Sequence, residues 1–379
     1  YRVQEKANKT YTESKQITLM KVAIFGAGQL AMMMIQEASE LNHEFVIVDP
    51  SSNPPASKYA KHLQTDYTDQ KTLDYIAANY DVATIDFENV DISAMKFLEK
   101  NIKVFPPSKA LEVCQDRLLE KNLFEKLKIN VTKYKEINDV SDLKNYCEGN
   151  ESKYLLKSRR FGYDGKNQIR CNSNIDLLKN LLSKCSCIAE EIVDFSTEVS
   201  LVCVRQDDDN ILFYPLIENF HKDGILRYSR FPYTNIELQD TAEKYGRELL
   251  NYFKYVGVLV IEFFVTKDGK LVANEMAPRV HNSGHWSIEG SSMSQFELHI
   301  RAITGDLDNN SVNFKPSLMF NILSKYPDDK ILKELESHFF HSYNKEERNL
   351  RKLGHITVTK KKPEQLQSTL SGYLELLDS

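Results

Sequence analysis

The stretch LVIEFFVTKDGKLVANEMAPR, residues 259–279, contains two apolar runs joined by a short polar turn. Apolar residues on both sides of the turn at residues 267–269 predict an antiparallel β-hairpin. Each predicted strand has one carboxylate near its centre, Glu262 and Glu275, and Asn274 adjoins the second. Two carboxylates on adjacent strands can point to one face, where their repulsion is costly unless a cation neutralises it. The hairpin alone fits equally a Mg²⁺ site completed by substrate phosphate oxygens and a pair of solvent-facing carboxylates.

The loop that follows this hairpin, APRVHNSGHW, is dense in polar side chains. Arg279, His281, Asn282 and Ser283 lie within five residues of one another, and no simple fold needs that combination. Polar loops at the ends of strands are where binding and catalytic sites are built. The hairpin and its loop together therefore predict a functional site.

Near the start of the chain, VAIFGAGQLAMMMI is followed by a second apolar run, FVIVDP. Gly26, Gly28 and Ala31 fit G-x-G-x-x-G/A between a strand and a helix, which we expect to run through Glu40. Asp49 lies about 20 residues on, where dinucleotide-binding folds place an acid. The same turn suits any phosphate or other anion at a helix N-terminus. Strands and helices alternate up to residue 107 and predict a parallel sheet with ligands beyond its carboxyl edge; residues 108–128 are then predicted to be helical.

A second candidate for phosphate binding is the glycine loop in YLLKSRRFGYDGKNQIR, which separates two predicted strands. Gly162 and Gly165 let the backbone approach an anion, and Lys157 and Lys166 supply positive charge. The P-loop pattern is absent, and a simple turn is the alternative. Further on, EVSLVCVRQDDDNILFYPLIEN predicts another antiparallel hairpin with an acidic tip.

The composition of the 379 residues, with 41% apolar residues and a net charge of −5, is that of a globular protein with two or three domains. No apolar run is long enough for a membrane span, and no basic block predicts a nucleic-acid partner. The six cysteines form no C-x-x-C pairs, which indicates reduced thiols and a cytoplasmic protein. We interpret residues 1–19 as a leader or disordered extension.

Several of these motifs occur together, in order, in one known family. FGAGQLAMM, FENV, QDR, the GYDGK loop, AEEIV, NEMAPRVHNSGH and RKLGH resemble the ATP-grasp superfamily, and within it the N5-carboxyaminoimidazole ribonucleotide synthetases of purine biosynthesis. The similarity runs from residue 20 to about residue 358 and covers nearly the whole chain. It implies a mixed α/β and α+β architecture: a Rossmann-like preATP-grasp domain (20–115), a central lid domain (116–194) and a C-terminal ATP-grasp domain (195–379).

The resemblance also implies an activity and a set of site residues. The activity is carboxylation of 5-aminoimidazole ribonucleotide with ATP and bicarbonate, through carboxyphosphate, by a homodimer that uses Mg²⁺ or Mn²⁺ on Glu262 and Glu275. The implied ATP-binding residues are Arg117, Lys157, Gly162, Tyr163, Asp164, Gly165, Lys166, Asn167, Gln168, Glu190, Glu191, Ile192, Val193, Glu198, His221, Asn274 and Glu275. The implied substrate-binding residues are Gln29, Leu30, Glu88, Asn89, Arg279, His281, Asn282, Ser283, Arg351 and Lys352. Arg279, Asn282 and Lys157 are the implied catalytic residues.

The sequence departs from this family at a few positions and leaves rival functions open. Phe161 and Asn167 stand where the family usually has glycines beside GYDGK. An ATP-grasp ligase with another acceptor, such as a formate-dependent glycinamide ribonucleotide transformylase, would share the ATP half. A nicotinamide oxidoreductase would rest on GAGQLA and Asp49, and a nucleotide-binding regulator would lack turnover. A nicotinamide enzyme leaves the carboxylate hairpin and the HNSGH loop unexplained.

Overall fold

The computed structural model describes residues 18–162, 167–206, 210–307, 311–335 and 337–377. Within these residues the chain forms three β-sheets with helices packed against them. The strands of the first sheet are β1 (Lys21–Phe25), β2 (Glu44–Val48), β3 (Lys61–Leu63), β4 (Val82–Ile85) and β5 (Lys103–Val104). Its helices are α1 (Gln29–Glu37), α2 (Gln70–Asn79), α3 (Ile92–Leu98) and α4 (Ser108–Cys114). All pairs are parallel, in the order β3-β2-β1-β4-β5, which confirms the predicted α/β arrangement.

Aspartate side chains set the starts of several helices in this part of the chain. Asp69 accepts from the Thr72 amide at 2.9 Å and so caps α2. Two helix boundaries differ from the sequence prediction. Helix α1 ends at Glu37, and a separate 3₁₀ turn over Ser39–Leu41 follows it. The helix predicted over residues 108–128 is two helices, because Asp116 caps a new one.

The second sheet is small and antiparallel. It follows α5 (Arg117–Lys126) and contains β6 (Tyr134–Ile137), β7 (Tyr154–Ser158), β8 (Gln168–Arg170) and β9 (Cys187–Glu191), with α6 (Val140–Cys147) and α7 (Ile175–Lys184) packed on it. The strand order is β6-β9-β7-β8. The adjacent β7 and β8 confirm the two strands predicted around the glycine loop. Residues 163–166 of that loop lie outside the described residues.

The third sheet is the largest and holds both predicted hairpins. Its strands are β10 (Phe195–Arg205), β11 (Ile211–Phe213), β12 (Ile217–Lys222), β13 (Ile225–Phe231), β14 (Gly257–Thr266), β15 (Leu271–Ala277), β16 (Ser317–Ser324), β17 (His338–Ser342) and β18 (Arg348–Thr359). Its helices are α8 (Ile236–Phe253), α9 (Ser287–Gly290), α10 (Gln295–Thr304), α11 (Asp329–Glu334) and α12 (Gln365–Leu377). The order is β15-β14-β10-β12-β13-β16-β18-β17, with β11 on β10. Residues 207–209, at the predicted acidic tip, lie outside the described residues.

The first and third sheets share one hydrophobic core. Helix α1 packs against α10, and its buried Met33 belongs to the same apolar cluster as Trp286 and Phe296. This explains why the Met run of α1 is apolar nearly all round. His299 of α10 accepts from the Val258 amide at 3.1 Å through Nδ1, and its Nε2 lies 2.8 Å from Thr84 Oγ1 on β4. Burial lowers the pKa of His299 to about 4, so this imidazole joins the two sheets as a neutral group. A search of the described helices for a membrane-spanning segment finds none.

Candidate active site

The hairpin with the paired carboxylates is formed by β14 and β15. Glu262 lies directly opposite Glu275 in this antiparallel pair. The register shifts after Glu262, so that Phe263 pairs with Ala273 and Asn274 is the extra residue of a β-bulge. Bulges re-aim side chains and are common beside active sites. The hairpin therefore brings two carboxylates and an amide side chain to adjacent positions, as the sequence predicted.

Glu262 is the more buried of the two carboxylates, with 13% of its side chain exposed. Burial raises the pKa of Glu262 to about 7; His221 opposes this shift, and the carboxylates of Glu275 and Glu198 add to it. Within the described residues, Oε1 of Glu262 has no hydrogen-bond partner. Carboxylates whose negative charges act on one another in a partly dry site are unfavourable without a cation. The carboxylate oxygens at this position are ligands that suit a hard divalent ion such as Mg²⁺.

Helix α5 presents charged side chains to this hairpin. Arg117, at its first turn, donates through Nη1 to Glu275 Oε2 at 3.1 Å and through Nη2 to the Gly162 carbonyl at 3.0 Å. One turn later, Glu120 Oε1 accepts from the Met276 amide at 2.8 Å. Arg117 thus links the carboxylate strand to the glycine loop.

The next residue of α5, Lys121, is a buried lysine with 1% exposure. Its Nζ donates to the carbonyl of Asn274 at 2.8 Å and lies 3.4 Å from that of Ala273. It is also 3.7 Å from Glu190 Oε2, to which Lys157 donates at 2.8 Å. Burial opposes ionisation of Glu190, but Lys121 and Lys157 lower its pKa to about 2. Two ammonium groups therefore share one buried carboxylate between the second and third sheets.

The glycine loop begins and ends in left-handed backbone. Phe161 has φ of +59° and Asn167 has φ of +56°. Asparagine tolerates this conformation, whereas phenylalanine is strained in it, and here its side chain is 68% exposed. A Cβ on Gly162 would lie 3.1 Å from Arg117 Nη2, so glycine gives the guanidinium room. Gln168 stands opposite Lys157 in the β7–β8 pair. Four predicted ATP-binding residues, Tyr163, Asp164, Gly165 and Lys166, lie outside the described residues.

The segment predicted to meet adenine continues from the end of β9. The Glu191 amide donates to the Lys133 carbonyl at 2.8 Å, and the Ile192 amide donates to the Lys153 carbonyl at 2.7 Å. Val193 follows and is half-buried. These backbone bonds fix the segment where it leaves the end of β9, in the second sheet.

Glu198 and His221 are neighbours on β10 and β12. His221 Nδ1 lies 2.9 Å from Glu198 Oε2. Burial alone lowers the pKa of His221, but the bond to Glu198 and the charge of Glu262 outweigh it and raise the pKa. Ser200 pairs with Glu262 across β10 and β14, and Glu198 is two residues from Ser200, so Glu198 and Glu262 share one face of the sheet.

The polar loop after β15 is ordered by a chain of hydrogen bonds. Ser200 Oγ donates to Ser283 Oγ at 2.8 Å, and Ser283 Oγ lies 3.0 Å from His281 Nδ1. Because the Ser283 amide also donates to Nδ1, at 3.3 Å, the proton of neutral His281 is on Nε2. That Nε2 is 3.8 Å from Glu262 Oε1. Burial and the nearby Arg279 hold the pKa of His281 well below its usual range. His281 is thus a neutral donor beside the carboxylates.

Arg279 and Asn282, from the same loop, have different surroundings. Arg279 Nε donates to the Glu88 carboxylate, in the turn after β4, where the half-buried Asn89 follows. Burial works against ionisation of Glu88, but Arg279 lowers its pKa. The side chain of Asn282 donates through Nδ2 to Asn321 Oδ1 at 3.0 Å, and its Oδ1 accepts from Asn321 Nδ2 at 2.6 Å. Arg279 therefore connects the carboxylate hairpin to the first sheet, whereas the side chain of Asn282 orders its own loop.

The glycine turn of the first sheet is filled by carboxylates of the protein itself. The Gly28 amide donates to Asp86 Oδ2 at 2.5 Å, and the Ala27 amide donates to Asp49 Oδ2 at 3.2 Å. Gly26 has φ of +99°, and a Cβ there would lie 1.8 Å from Asp86 Oδ1. A dinucleotide pyrophosphate needs the amides at this turn. The contacts of Asp49 and Asp86 therefore argue against a nicotinamide cofactor.

Next to this turn lies a basic cluster from the C-terminal part of the chain. Gln29 Oε1 accepts from Lys345 Nζ at 2.5 Å, while the side chain of Leu30 is buried in the core. Burial and the charges of Arg351 and Lys352 lower the pKa of Lys345 to about 8. The structure thus brings the GAGQLA and RKLGH motifs together.

Sequence reasoning did not identify four residues of this region: Asp86, Glu120, Lys121 and Lys345. Arg117, Glu120 and Lys121 have i, i+3, i+4 spacing, so their common helix face could have been found. Asp86 directly follows an apolar strand in DFENV, and only Glu88 and Asn89 were chosen from that cluster. Lys345 lies in a loop whose path the sequence does not reveal.

A parallel sheet with a polar carboxyl edge, a small lid sheet, and a large antiparallel sheet with paired carboxylates define an enzyme of the ATP-grasp class. Three family models match the chain: a ribonucleotide synthetase preATP-grasp domain (19–115), an ATP-grasp domain (122–296) and a phosphoribosylaminoimidazole carboxylase C-terminal domain (317–369). The described architecture and these matches confirm the predicted fold class.

Known relatives identify the family within that class. The N5-carboxyaminoimidazole ribonucleotide synthase of Pseudomonas aeruginosa is 37% identical over 341 residues, which are 89% of this chain and 94% of the relative. The crystal structure of the Thermus thermophilus synthetase has a TM-score of 0.87 and 35% identity, and the match covers 94% of this chain and 99% of that one. The Aspergillus clavatus synthase, solved with ADP and 5-aminoimidazole ribonucleotide, has a TM-score of 0.86 and 26% identity over 95% and 99% of the chains. This chain belongs to the N5-carboxyaminoimidazole ribonucleotide synthase family, the ATP-dependent ligases that the sequence motifs predicted.

Proposed function

We propose that this enzyme carboxylates the exocyclic amine of 5-aminoimidazole ribonucleotide at the expense of ATP, with bicarbonate as the carbon source. The observation that carries the proposal is the Glu262–Glu275 pair. Arg117 connects Glu275 to the glycine loop, and Arg279, from the loop after β15, reaches Glu88 beside the first sheet. The names of the relatives and the ribonucleotide bound to the Aspergillus clavatus synthase support this choice of acceptor.

On the ATP side, Lys157, Arg117 and the glycine loop bind the phosphates. Arg117 and Lys157 both act on Glu190, and Arg117 also donates to Glu275, so these two cations are close enough to serve one polyanion. Adenine lies against residues 190–193. Because the amides of Glu191 and Ile192 already donate within the protein, the base uses the remaining backbone groups of this segment. Glu198, oriented by His221, accepts from the ribose hydroxyls.

Glu262 and Glu275 hold Mg²⁺, with Mn²⁺ as an alternative and Asn274 beside them. The fit rests on Glu262 Oε1, which has no hydrogen-bond partner in the described part of the chain, and on the negative charges of Glu275 and Glu198 that act on Glu262. Mg²⁺ characteristically takes one or two carboxylates together with phosphate oxygens. The bound ion supplies neutralisation of charge on the phosphoryl oxygens.

On the acceptor side, the ribonucleotide lies along the carboxyl edge of the first sheet. Gln29, Glu88 and Asn89 contact its polar groups, while Leu30 contributes backbone because its side chain is buried. Arg351 and Lys352 face its phosphate, and Lys345 joins them.

Arg279 and His281 lie between this edge and the metal site, where bicarbonate and carboxyphosphate react. Asn282 and Ser283 order that loop.

The chemistry has two steps. A bicarbonate oxygen attacks the γ-phosphorus of ATP, the bond to the β-phosphate oxygen breaks, and ADP and carboxyphosphate form. The amine nitrogen then bonds to the carboxyl carbon, directly or after loss of carbon dioxide from carboxyphosphate; phosphate leaves and the nitrogen loses a proton. Lys157 and Arg117 stabilise the transferring phosphoryl group, and neutral His281 donates Nε2–H to an oxygen of the carboxyl group. The lid excludes water, which would hydrolyse the intermediate.

Three further features belong to this proposal. The domains divide at residues 115 and 194, and the enzyme works as a homodimer in the cytoplasm. The six cysteines are free thiols, as a reducing compartment requires. The transformylase and the other rivals are not favoured, because the acceptor half also matches this family.

The deciding experiment measures ADP release from MgATP and bicarbonate with and without 5-aminoimidazole ribonucleotide, while the free amine is followed. We expect ADP release that depends on the ribonucleotide and equals the amine consumed. ADP release with an intact amine would support the ATP-cleaving part of the proposal and overturn the choice of acceptor. Binding of NADH without turnover of ATP would overturn the whole proposal.

A further inference from the structure

Lys121 is a charged residue of α5 that lies beside Glu190 of the second sheet and that the proposed ATP site does not use. We propose that Lys121 is a positioning residue: a permanent counter-ion for Glu190 that leaves Lys157 available to the nucleotide phosphates. This inference rests on the proposed ATP site and concerns how its charges are balanced.

The geometry places Lys121 between two parts of the site. Its ammonium is fixed by the carbonyl of Asn274 at 2.8 Å, on the strand that contains Glu275. On the other side the ammonium is 3.7 Å from Oε2 of Glu190, on β9 of the second sheet. A buried lysine keeps its charge only when partners surround it, and Lys121 has two carbonyls and a carboxylate. Its position is therefore set by the protein and not by a ligand.

Glu190 needs such a partner because its carboxylate is only 4% exposed. Lys157 donates to the same Oε2 atom at 2.8 Å, while Oε1 has no partner within the described residues. If Lys157 were the sole counter-ion of Glu190, the ion pair with that carboxylate would hold its ammonium group away from a phosphate. With Lys121 sharing that charge, Lys157 can direct its remaining protons to a phosphate while Glu190 holds its position.

The surrounding charges agree with this division. Burial raises the pKa of Glu120 to about 8, so Glu190 and Glu275 are the carboxylates that the cations meet here. Burial lowers the pKa of Lys121, and the charge of Glu190 opposes that shift. Removal of Lys121 leaves Lys157 as the one ion-pair partner of Glu190 among the described residues. The expected defect is therefore in nucleotide binding and phosphoryl transfer, whereas the acceptor site stays intact.

The test compares Lys121→Met, Lys121→Arg, Glu190→Gln and the double variant Lys121→Met/Glu190→Gln. Lys126→Met is the matched control, since Lys126 is an exposed lysine at the end of the same helix. We expect Lys121→Met to lower kcat/KM for ATP by about 10- to 100-fold, the range for residues that orient a ligand-binding group. The KM for the ribonucleotide should change less than about twofold, because the contacts of Lys121 within the described residues include none of the proposed acceptor residues. Arginine should restore most of the activity, because it keeps the charge.

The double variant distinguishes charge sharing from mere packing. If Lys121 balances Glu190, then Glu190→Gln should lower activity in the parent enzyme and raise it in the Lys121→Met background. Additive losses, or equal effects of Lys121→Met and Lys126→Met, would overturn the inference. If Lys121→Met does not fold, the same comparison uses Lys121→Arg and the double variant. Activity of the double variant well below that of Glu190→Gln would then contradict the inference, because Lys121 would matter even without the carboxylate that it balances.

Binding of a non-hydrolysable ATP analogue, measured by calorimetry, separates this inference from the proposed function. A parent enzyme that binds the analogue but carboxylates nothing would refute the proposed acceptor alone. The analogue should still bind about tenfold more weakly to Lys121→Met, the lower end of the range expected when an orienting residue is lost. Unchanged affinity in that variant would refute the role of Lys121 whatever the acceptor.

Discussion

Asp86, the carboxylate inside the glycine turn, should make the stability of the protein fall as pH rises. The side chain is 5% exposed and accepts from the Gly28 amide. Burial raises its pKa from 3.8 to about 7; the bond from Gly28 opposes the shift and the charge of Asp49 adds to it. The folded protein therefore holds this proton more tightly than the unfolded chain does. Its stabilising effect is complete below pH 3.8 and is lost as pH rises to 7.

The size of the effect follows from the window between the two pKa values. Each pH unit in that window is worth about 1.4 kcal/mol. Between pH 5 and pH 7 the wild-type protein should lose about 3 kcal/mol of this contribution, with little change above pH 7. Asp86→Asn removes the titrating group and keeps an oxygen that can accept from Gly28. The variant should therefore gain about 3 kcal/mol relative to wild type over the same range.

The assay is urea unfolding at pH 5, 6, 7 and 8, followed by the fluorescence of the single tryptophan. Trp286 is suitable because it shares a core cluster with α1, the helix that starts at the glycine turn. Asp74→Asn, on the exposed face of α2, controls for a change of charge alone. The quantity of interest is the difference in unfolding free energy between wild type and variant. A difference that stays constant with pH, or that favours wild type as pH rises, would refute the reasoning.

Other predictions concern single contacts of the site. Glu275→Gln should reduce ATP cleavage at least about 100-fold, because a charged partner of Arg117 and a proposed metal ligand are lost; cleavage at the wild-type rate would exclude this metal site. Lys345→Met should raise the KM for the ribonucleotide about tenfold, or about 1.4 kcal/mol, with the KM for ATP unchanged in steady-state assays. Gly26→Ala should destabilise the protein by about 1–3 kcal/mol, seen as a lower Tm, since its φ of +99° and the adjacent Asp86 both exclude a side chain.

The sequence predicted best those parts of the site in which neighbouring residues along the chain are also neighbours in space. The hairpin is the clearest case: Glu262 and Glu275 flank a short turn, so antiparallel pairing alone places them opposite each other. The resemblance to a known family contributed the order of the domains, which local patterns do not reveal. Asn167 adopts the left-handed conformation expected of a residue that replaces glycine.

The contacts that the sequence did not reveal join distant segments. Lys345 meets Gln29, and Asp86 fills a turn formed more than fifty residues earlier. Lys121 resembles any helical lysine in the sequence, and its burial depends on a strand that follows about 150 residues later. Asp49 fits a dinucleotide motif by spacing, but its carboxylate accepts from Ala27 and from the Tyr67 hydroxyl. Spacing identified the turn, and only the fold shows which group fills it.

The shared core of the first and third sheets affects how such enzymes can diverge. Because Met33 and Trp286 belong to one apolar cluster and His299 bridges β4 and β14, the first sheet, with the proposed acceptor edge, and the third sheet, with the proposed metal site, are not interchangeable parts. A gene fusion that replaced residues 20–115 with the equivalent segment of another ligase would expose that cluster, unless the side chains that pack against α1 from the third sheet and its helices were exchanged as well. New acceptor specificity in this lineage is therefore expected to arise by substitutions along the edge, at positions such as Gln29 and Lys345, rather than by recombination of whole domains.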